Sequence, residues 1–455
     1  MQVFGSSGTR GRVTDELTPD FALRVAAAAG TVWGADRVAL GRDTRVTGPM
    51  LANAAASGLA SVGADVDRLG IVPTPALQTY VARQGVPGVM VTASHNPPEY
   101  NGIKLVGADG VELSVERLEA IESALLDDDP AHASWDRTGA DRIVESARRT
   151  YREELLEVVD RETITAADLT VALDPGHGAG ALTSPDFFRE LGCSVRTVNA
   201  HPDGHFPGRN PEPIESNLTD LGHLVRATDA DVGIAHDGDA DRAIFFDETG
   251  SYIEGDATLA ALADANLEPG DTTVSAVNVS QRLVDVAEST GAELELTPIG
   301  STRIMTHIRE LERAGERVPV AGEGNGGVIF PDYRINRDGA YTAARFLELL
   351  ADRSASEVVA PYDGYANVRR NVHYADEGER ATLVEAAGEW ARGADGEVTT
   401  IDGYRVDFGD AWVLARPSGT EPVVRVYAEA REQARAETLA DRLVSALEDA
   451  AAAGG

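Results

Sequence analysis

Short runs of apolar residues alternate with amphipathic stretches along most of the chain. A short apolar run followed by a helical period is typical of a β-strand joined to a helix, and repeated βαβ units form parallel sheets. The pattern therefore predicts a series of α/β blocks. Six strands are expected, at residues 37–41, 88–92, 170–174, 231–235, 273–277 and 318–321.

Polar segments that contain glycine follow directly after several of these strands. In open α/β sheets ligands bind beyond the carboxyl ends of the strands, so these segments are candidate binding loops. They are GRDTR, TASHNPPEYNG, DPGHGAG, HDGDADR and GEGNGG.

The C-terminal part of the chain has a different pattern. Residues 407–430 are rich in strand-forming side chains, and a long helix is expected from residue 432 to about residue 451. Upstream, alternating charges over residues 142–160 predict a helix that joins a first domain to a second.

The composition is that of a soluble multidomain protein. A length of 455 residues predicts about three domains, and 43% hydrophobic with 25% charged residues is close to the globular average. No run approaches the roughly 18 apolar residues that span a bilayer, and the opening MQVFGSSGTRGRV lacks the apolar core of a signal peptide. The single cysteine, Cys193, excludes an internal disulfide and a cysteine-rich zinc site. We expect a cytoplasmic protein.

The net charge of the chain limits the kinds of partner that it can bind. The 40 basic and 75 acidic residues give a net charge of −35, and the acidic residues are dispersed along the chain. Such a field repels nucleic acid phosphates and anionic lipids, so neither a nucleic acid nor a membrane is expected as a partner. The dispersion also suggests the hypothesis of a halophilic protein, because concentrated salt screens this self-repulsion.

Lysine is nearly absent. The chain has one, Lys104, and arginine supplies every other permanent cation. The surroundings of a lysine can shift its pKa so that it exchanges a proton, whereas arginine stays protonated. A lone lysine is therefore a candidate for proton transfer. The alternative is chance retention at an exposed position.

The first motif spans residues 92–104, TASHNPPEYNGIK. Ser94 follows a strand in a loop that prolines and glycine make rigid, where an exposed hydroxyl can carry a covalent intermediate. His95 and Lys104 are close enough in sequence to transfer protons. The alternative is a tight polar turn with a capping serine.

The second motif is the segment DGDADR. Its alternating carboxylates, Asp237, Asp239 and Asp241, can converge on one hard cation such as Mg²⁺. An EF-hand is excluded, because no glutamate closes a twelve-residue loop in the required frame. An acidic surface turn is the alternative.

The third motif, GEGNGG, matches the dinucleotide pattern GxGxxG only formally. Residues 328–330 continue as a strand where that fingerprint demands a helix, so we reject a dinucleotide site. A loop that offers Glu323 and Asn325 to sugar hydroxyls is the better interpretation, with a plain glycine turn as the alternative.

The fourth motif contains hydroxyl groups, arginines and backbone N–H groups that a glycine leaves accessible. Together these groups can bind a phosphate. A solvated β-turn fits it nearly as well. A P-loop is excluded, because the only lysine does not follow a glycine. The residues concerned are Arg416, Ser418, Gly419, Thr420 and Arg425.

These four motifs, in this order, resemble the α-D-phosphohexomutase superfamily. They are similar to its phosphoserine loop, magnesium loop, sugar-binding loop and phosphate-binding loop, and the opening FGSSGTRG at residues 4–11 resembles its N-terminal active-site segment. The matches run from residue 4 to beyond residue 425.

The resemblance implies an α/β fold of three similar mixed α/β domains and a C-terminal α+β domain with an antiparallel sheet, around a central cleft. It places the domains at residues 1–147, 148–251, 252–358 and 359–455. It leaves the choice between monomer and homo-oligomer open.

The resemblance also implies a mechanism. Phosphorylated Ser94 would donate its phosphoryl group to a hexose phosphate, and the hexose 1,6-bisphosphate would turn over in the cleft and return its other phosphate. The implied Mg²⁺ ligands are Ser94, Asp237, Asp239 and Asp241. The implied acid/base group is Lys104, with His95 beside it. The implied phosphate contacts are Arg10, Arg242, Arg416, Ser418, Gly419, Thr420 and Arg425.

The substrate is less defined. Many relatives end the sugar loop with serine-glycine-histidine, whereas this chain has Asn325-Gly326-Gly327. The Ser-Gly-Thr of the phosphate loop resembles phosphoglucosamine mutases, so conversion of glucosamine 6-phosphate to glucosamine 1-phosphate is expected. A phosphomannomutase or phosphoglucomutase is the alternative. A metal-dependent phosphatase or an inactive sugar-phosphate binder is a more remote alternative.

Overall fold

Four β-sheets, formed one after another along the chain, organise the fold. The structure is a computed structural model, and it describes residues 3–5, 8–418 and 421–454. Throughout that described part, every helix is too short or too polar to cross a lipid bilayer.

The first sheet has six strands in the order β1-β5-β4-β2-β3-β6. Its elements are β1 (Thr9–Arg12), α1 (Pro19–Trp33), β2 (Arg37–Arg42), α2 (Gly48–Ser61), β3 (Asp65–Ile71), α3 (Thr74–Gln84), β4 (Gly88–Val91), β5 (Tyr100–Val106), α4 (Val115–Asp127) and β6 (Asp141–Ile143).

The second sheet has five strands in the order β11-β10-β9-β7-β8. The elements are α5 (Ala147–Val158), α6 (Arg161–Ala167), β7 (Thr170–Asp174), α7 (Ser184–Glu190), β8 (Ser194–Thr197), α8 (Thr219–Thr228), β9 (Val232–Ala235), β10 (Ile244–Phe246) and β11 (Tyr252–Ile253), with 3₁₀ turns at Ala179–Leu182 and Glu215–Asn217.

The third sheet has five strands in the order β13-β12-β14-β15-β16. The elements are α9 (Gly255–Asp264), β12 (Thr272–Ala276), α10 (Gln281–Thr290), β13 (Glu293–Thr297), α11 (Ser301–Ala314), β14 (Ala321–Glu323), β15 (Gly327–Phe330), β16 (Arg334–Arg337), α12 (Gly339–Leu349) and α13 (Ala355–Val359), then a 3₁₀ turn at Ala360–Tyr362.

The fourth sheet has the order β17-β21-β20-β19-β18 and all its strand pairs are antiparallel. The elements are β17 (Ala366–His373), α14 (Glu377–Gly393), β18 (Glu397–Thr399), β19 (Tyr404–Asp407), β20 (Ala411–Pro417), β21 (Val423–Ala430) and α15 (Gln433–Gly454). The predicted C-terminal strand region and long helix are confirmed.

The first three sheets repeat one topology. In each, three parallel strands are followed by an antiparallel fourth, and the strands lie in the order fourth, third, first, second. The sets are β2 to β5, β7 to β10 and β12 to β15. The expected fold of three similar α/β domains and one antiparallel C-terminal domain is confirmed.

Local sequence explains where the helices begin and end. Thr18 accepts a hydrogen bond from the N–H of Phe21 at the start of α1, and Pro19 occupies a position where no N–H is needed. The helix ends where Gly34 adopts φ +56°, a left-handed conformation that glycine enters without a steric penalty.

Two predicted elements differ from the structure. The predicted helix over 142–160 is wrong at its start: residues 141–143 are the edge strand β6, and the helix begins at Ala147. The predicted strand over 318–321 is shifted, because regular pairing begins at Ala321. Pro319 has no N–H to give to a strand ladder, although Val320 O still accepts from Thr273 Oγ1 at 2.9 Å.

One apolar core is shared by the first three domains. It includes Leu77 of α3, Leu155 of α5, Phe187 of α7, Leu262 of α9 and Phe346 of α12, all buried. Such a continuous core holds three sheets in a fixed relation. The fourth domain has its own core and touches the third through a small cluster around the buried Trp412.

Candidate active site

The predicted motifs occupy equivalent places in the three repeats. In each repeat one loop connects the third strand to the antiparallel fourth. These loops are residues 92–99, between β4 and β5, residues 236–243, between β9 and β10, and residues 324–326, between β14 and β15. The carboxyl ends of parallel strands meet at one edge of a sheet, so the repeated topology brings these loops to one cleft. The fourth domain contributes Arg416 of β20 and Arg425 of β21 to the same cleft. The cleft has a volume of about 700 Å³, and all four domains line it.

Ser94 is fully buried next to the cleft-lining His95, so its hydroxyl is not exposed as the sequence predicted. Its backbone has φ +51°, a left-handed conformation that is unusual for a residue with a side chain. The hydroxyl donates to Asp237 Oδ2 at 2.5 Å, and the N–H donates to Thr92 Oγ1 at 2.9 Å. The strand end thus holds the backbone of Ser94, and the acidic loop holds its hydroxyl.

The three aspartates form a buried cluster. One carboxylate oxygen from each of Asp237, Asp239 and Asp241 lies within 4.8 Å of the others. The Oδ1 atom of each is buried and lacks a hydrogen-bond partner among the described residues. Buried oxygens without partners are costly, and oxygen is the ligand that hard cations prefer. The cluster can therefore hold a metal ion.

The charges of these carboxylates are coupled. Burial, and then repulsion from Asp239 and Asp241, raises the pKa of Asp237 to about 7. Burial also disfavours the ionised form of Asp239, but attraction to Lys104 and hydrogen bonds from Thr74 and Lys104 outweigh it and lower its pKa. A divalent cation would relieve the repulsion that raises the pKa of Asp237.

Lys104 lies behind the cleft wall, almost fully buried. Its ammonium donates to Asp239 Oδ2 at 2.9 Å and to Asp241 Oδ2 at 3.0 Å. Burial lowers the pKa of Lys104, but attraction to Asp239, Asp241 and Glu112 outweighs burial and leaves the pKa raised. The geometry therefore holds Lys104 protonated, as a proton donor and as a charge partner for the acidic loop.

Arg337 and Thr74 belong to the same cluster and were missed by the sequence analysis. Arg337, at the end of β16, donates to Asp241 Oδ2 at 2.7 Å, and Thr74, at the start of α3, donates to Asp239 Oδ2 at 2.5 Å. They come from the third and first domains. No sequence spacing links them to the aspartates, so only the folded chain identifies them.

His95 and two arginines face the cleft above Ser94. His95 Nδ1 accepts from Arg242 at 3.0 Å and lies 3.3 Å from Ser94 Oγ. Burial, and then repulsion from Arg242 and Arg10, lowers the pKa of His95 far below its usual range, so the imidazole is neutral. Arg10 donates to Asn96 Oδ1 at 2.9 Å. Arg10 and Arg242 give this end of the cleft the positive charge that a phosphate requires.

The residues of the GEGNGG motif lie on the cleft wall, at the turn between β14 and β15. Glu323 and Asn325 both line the cleft, and Asn325 Oδ1 accepts from the N–H of Gly327 at 3.0 Å. The chain continues after this turn as strand β15 and not as a helix, which confirms that the motif is not a dinucleotide fingerprint.

Arg416 and Arg425 line the opposite wall and face each other across β20 and β21. Arg416 lies 3.1 Å from Asp402, and Arg425 donates to Glu421 Oε2 at 2.5 Å. Ser418 N–H donates to Val423 O at 2.8 Å at the base of this loop. Gly419 and Thr420 lie outside the described residues.

Comparison with known proteins agrees with this arrangement. Models of the phosphoglucomutase/phosphomannomutase family match the chain in order: alpha/beta/alpha domain I at residues 1–132, domain II at 149–250, domain III at 254–365 and the C-terminal domain at 370–446.

Two relatives and one solved structure resemble nearly the whole chain. The chain is 42% identical over 459 residues to "Phosphoglucomutase/phosphomannomutase" of Thermococcus kodakarensis, with 99% of each chain covered. It is 43% identical over 448 residues to "Probable phosphoglucosamine mutase" of Methanopyrus kandleri, with 97% of this chain and 96% of that one covered. A crystal structure of a phosphoglucomutase/phosphomannomutase family protein from Burkholderia thailandensis superposes with a TM-score of 0.85 at 29% identity, covering 98% of this chain and 97% of that chain.

Proposed function

Because the chain belongs to the phosphoglucomutase/phosphomannomutase family, we propose that it moves a phosphoryl group between the 6- and 1-positions of a hexose phosphate, with Ser94 as the carrier. The observation that supports Ser94 most directly is its hydroxyl, 2.5 Å from Asp237 Oδ2 in the buried aspartate cluster. A serine is a weak nucleophile unless its surroundings activate it, and this serine lies beside charged and proton-transferring groups.

The proposed half-reaction exchanges one O–P bond for another. The bond between Ser94 Oγ and phosphorus breaks while the free sugar hydroxyl forms a bond to the same phosphorus. The hydroxyl loses one proton and Ser94 Oγ gains one, so protons balance. Lys104 is the proposed acid/base group that exchanges a proton with the sugar oxygen. His95 Nδ1 lies 3.3 Å from Ser94 Oγ but is neutral and already accepts from Arg242, so we assign His95 the orientation of the serine oxygen and not the transfer of its proton.

The second half-reaction is the same exchange in reverse on the other end of the hexose 1,6-bisphosphate. The intermediate turns over in the cleft, and its other phosphoryl group returns to Ser94. Arg416 and Arg425, together with Ser418, Gly419 and Thr420, would hold whichever phosphate is not reacting. This phosphate loop therefore meets either end of the sugar and should recognise phosphate more strictly than sugar.

The donor set fits Mg²⁺. Asp237, Asp239, Asp241 and an oxygen of phosphorylated Ser94 would hold it, since the three unpaired Oδ1 atoms offer hard oxygen ligands. When bound, the cation supplies charge neutralisation for the phosphoryl group in transfer. Arg10 and Arg242 would orient that group from the cleft side, and Glu323 and Asn325 would contact sugar hydroxyls.

We propose glucosamine 6-phosphate as the preferred substrate, converted to glucosamine 1-phosphate. The Ser418-Gly419-Thr420 sequence and the similarity to "Probable phosphoglucosamine mutase" of Methanopyrus kandleri support this choice. The comparably similar "Phosphoglucomutase/phosphomannomutase" of Thermococcus kodakarensis supports mannose or glucose phosphates as the alternative.

Phosphorus-31 NMR of the phosphorylated protein with Mg²⁺ in concentrated KCl tests the proposal. Glucosamine, mannose and glucose 6-phosphates are supplied separately, each with a trace of its bisphosphate. We expect the 1-phosphate signal to grow fastest from glucosamine 6-phosphate. Faster growth from another sugar overturns the substrate, free phosphate alone indicates a phosphatase, and unchanged spectra with all three sugars indicate an inactive binder.

Two serine variants separate the chemistry from general damage. Ser94→Ala should abolish conversion. Ser123→Ala, on the exposed face of α4, should convert substrate at the wild-type rate, because among the described residues its hydroxyl bonds only to Glu119 O, at 3.0 Å. Conversion by Ser94→Ala would exclude the phosphoserine route.

A further inference from the structure

The conformation of Ser94 needs support from outside its own loop. With φ +51° the residue is in the left-handed region, which non-glycine residues seldom adopt unless surrounding contacts impose it. The loop also bears two consecutive prolines, Pro97 and Pro98, which cannot donate backbone hydrogen bonds. The contacts that impose this conformation therefore act on the carbonyl groups and on the few remaining N–H groups.

Arg45 supplies the contacts to the carbonyls. It is fully buried beneath the loop, and its guanidinium donates four hydrogen bonds to backbone oxygens. Nη2 donates to Ser94 O at 2.9 Å and to Asn96 O at 2.6 Å. Nη1 donates to Pro97 O at 2.6 Å and to Tyr100 O at 2.9 Å. One planar group thus fixes the loop from the serine to the start of β5.

Asp43 and Thr92 complete this support. Asp43 Oδ2 accepts from Arg45 Nε at 3.0 Å and from Thr92 Oγ1 at 2.7 Å. Thr92 Oγ1 accepts in turn from the N–H of Ser94 at 2.9 Å. Ser94 is therefore held on both sides, by Thr92 at its N–H and by Arg45 at its carbonyl. We call Asp43, Arg45 and Thr92 the loop frame.

The second domain contacts Arg45 of the loop frame. The ring of Phe206 lies 5.2 Å from the Arg45 guanidinium carbon, and the backbone of Gly204 pairs with that of Arg45. A planar guanidinium can stack on a ring and donate in four directions at once, whereas an ammonium cannot. The frame consequently also lies at the junction of the domain that carries Ser94 and the domain that carries the aspartates.

We propose that Arg45 is a positioning residue for phosphoryl transfer: through the loop frame it holds Ser94 in the left-handed conformation that aims its hydroxyl at the aspartate loop. The proposal rests on the proposed role of Ser94 as phosphoryl carrier. Arg45 lies beneath the loop and acts on the reacting oxygen only through the backbone. Its loss should lower the rate of transfer and leave sugar-phosphate binding largely unchanged, because most residues that line the cleft lie outside this loop.

Two variants test the loop frame. Arg45→Lys keeps the charge and loses the planar set of donors, and Thr92→Val removes the hydroxyl while keeping the side-chain size. Both should lower kcat at least about tenfold with KM for the sugar phosphate within about twofold, since small displacements of reacting groups cost about that much or more. Arg68→Lys is the matched control, because Arg68 makes a partly exposed ion pair with Asp141 in the same domain.

Hydrogen–deuterium exchange provides a readout that does not depend on turnover. The amides of residues 94–96, 99 and 100 should exchange faster in Thr92→Val than in the wild type, with the rest of the protein unchanged. Wild-type kcat and wild-type exchange in Thr92→Val would overturn the proposal, whether or not Arg45→Lys folds. If the wild type turns over no hexose phosphate, the proposed function fails, and the exchange comparison still decides whether the frame holds Ser94.

Discussion

At the scale of the residue, the neighbours of Lys104 determine its protonation state. Its ammonium is shared between Asp239 and Asp241, and these attractions outweigh the desolvation that would otherwise lower its pKa. The lysine therefore has two separable properties, a fixed positive charge and a transferable proton. Arginine retains the first and gives up the second, because its pKa is too high for proton exchange.

We predict that Lys104→Arg and Lys104→Met both lower kcat by about 10²- to 10⁴-fold, the usual contribution of general acid–base catalysis. Lys104→Met should lower the free energy of unfolding of the metal-free protein more than Lys104→Arg does, by about 3–5 kcal/mol, because it removes the cation that Asp239 and Asp241 share and leaves them only Thr74 and Arg337. Steady-state kinetics and chemical denaturation measure the two effects. Wild-type kcat in Lys104→Arg would show that the residue supplies charge alone.

At the scale of elements, the distance between the loop that carries Ser94 and the loop that carries the aspartates depends on a glycine. A Cβ on Gly238 would lie 2.5 Å from Ser94 O, which is closer than real Cβ contacts. Neither backbone can yield easily, because Arg45 holds the carbonyl of Ser94 from below. The absence of a side chain at residue 238 lets the two loops touch.

Gly238→Ala should therefore separate Ser94 from Asp237 and lower kcat by about 10²-fold, the size of effect that a displacement of about 1 Å produces. Gly393→Ala is the matched control and should keep wild-type kcat, since an added Cβ there would meet no described atom within 4 Å. Initial rates for both variants measure the difference. Equal rates would mean that the contact between the loops is not required.

At the scale of the whole molecule, the net charge of −35 is the dominant property. The acidic residues are spread over the surface and repel one another in dilute buffer. The Debye length shortens from about 10 Å at 0.1 M salt to about 3 Å at 1 M, so concentrated salt removes most of this repulsion. The active-site cluster is screened less, because its charges are buried.

We predict that the melting temperature rises sharply from 0.1 M to 2 M KCl, since screening relieves repulsion in the compact state more than in the expanded one. Differential scanning calorimetry measures it. Sucrose at matched water activity is the control for general exclusion effects, and it should raise the melting temperature less than KCl does. A melting temperature that does not change with KCl would contradict the halophilic hypothesis.

The tertiary structure decided which residues surround the motifs. Thr74, Arg337 and Arg45 come from separate parts of the chain, and no spacing in the sequence connects them to Ser94 or the aspartates. Folding also changed two local predictions, since residues 141–143 pair with β3 as an edge strand and Pro319 delays the pairing of β14. Long-range pairing overrides local pattern in such places.

The sequence by itself determined the order of α/β blocks, the strand-rich C-terminal region with its long helix, and the motif loops, because periodicity and glycine-rich segments are local signals. The antiparallel C-terminal sheet was expected only from the resemblance to a known family. It named Ser94, Lys104 and the three aspartates, because each lies in a short motif. Their burial, the raised pKa of Lys104 and Asp237 and the neutral state of His95 were decided by the structure alone. Charge states and hydrogen bonds depend on distances between distant parts of the chain, and only the packed domains set those distances.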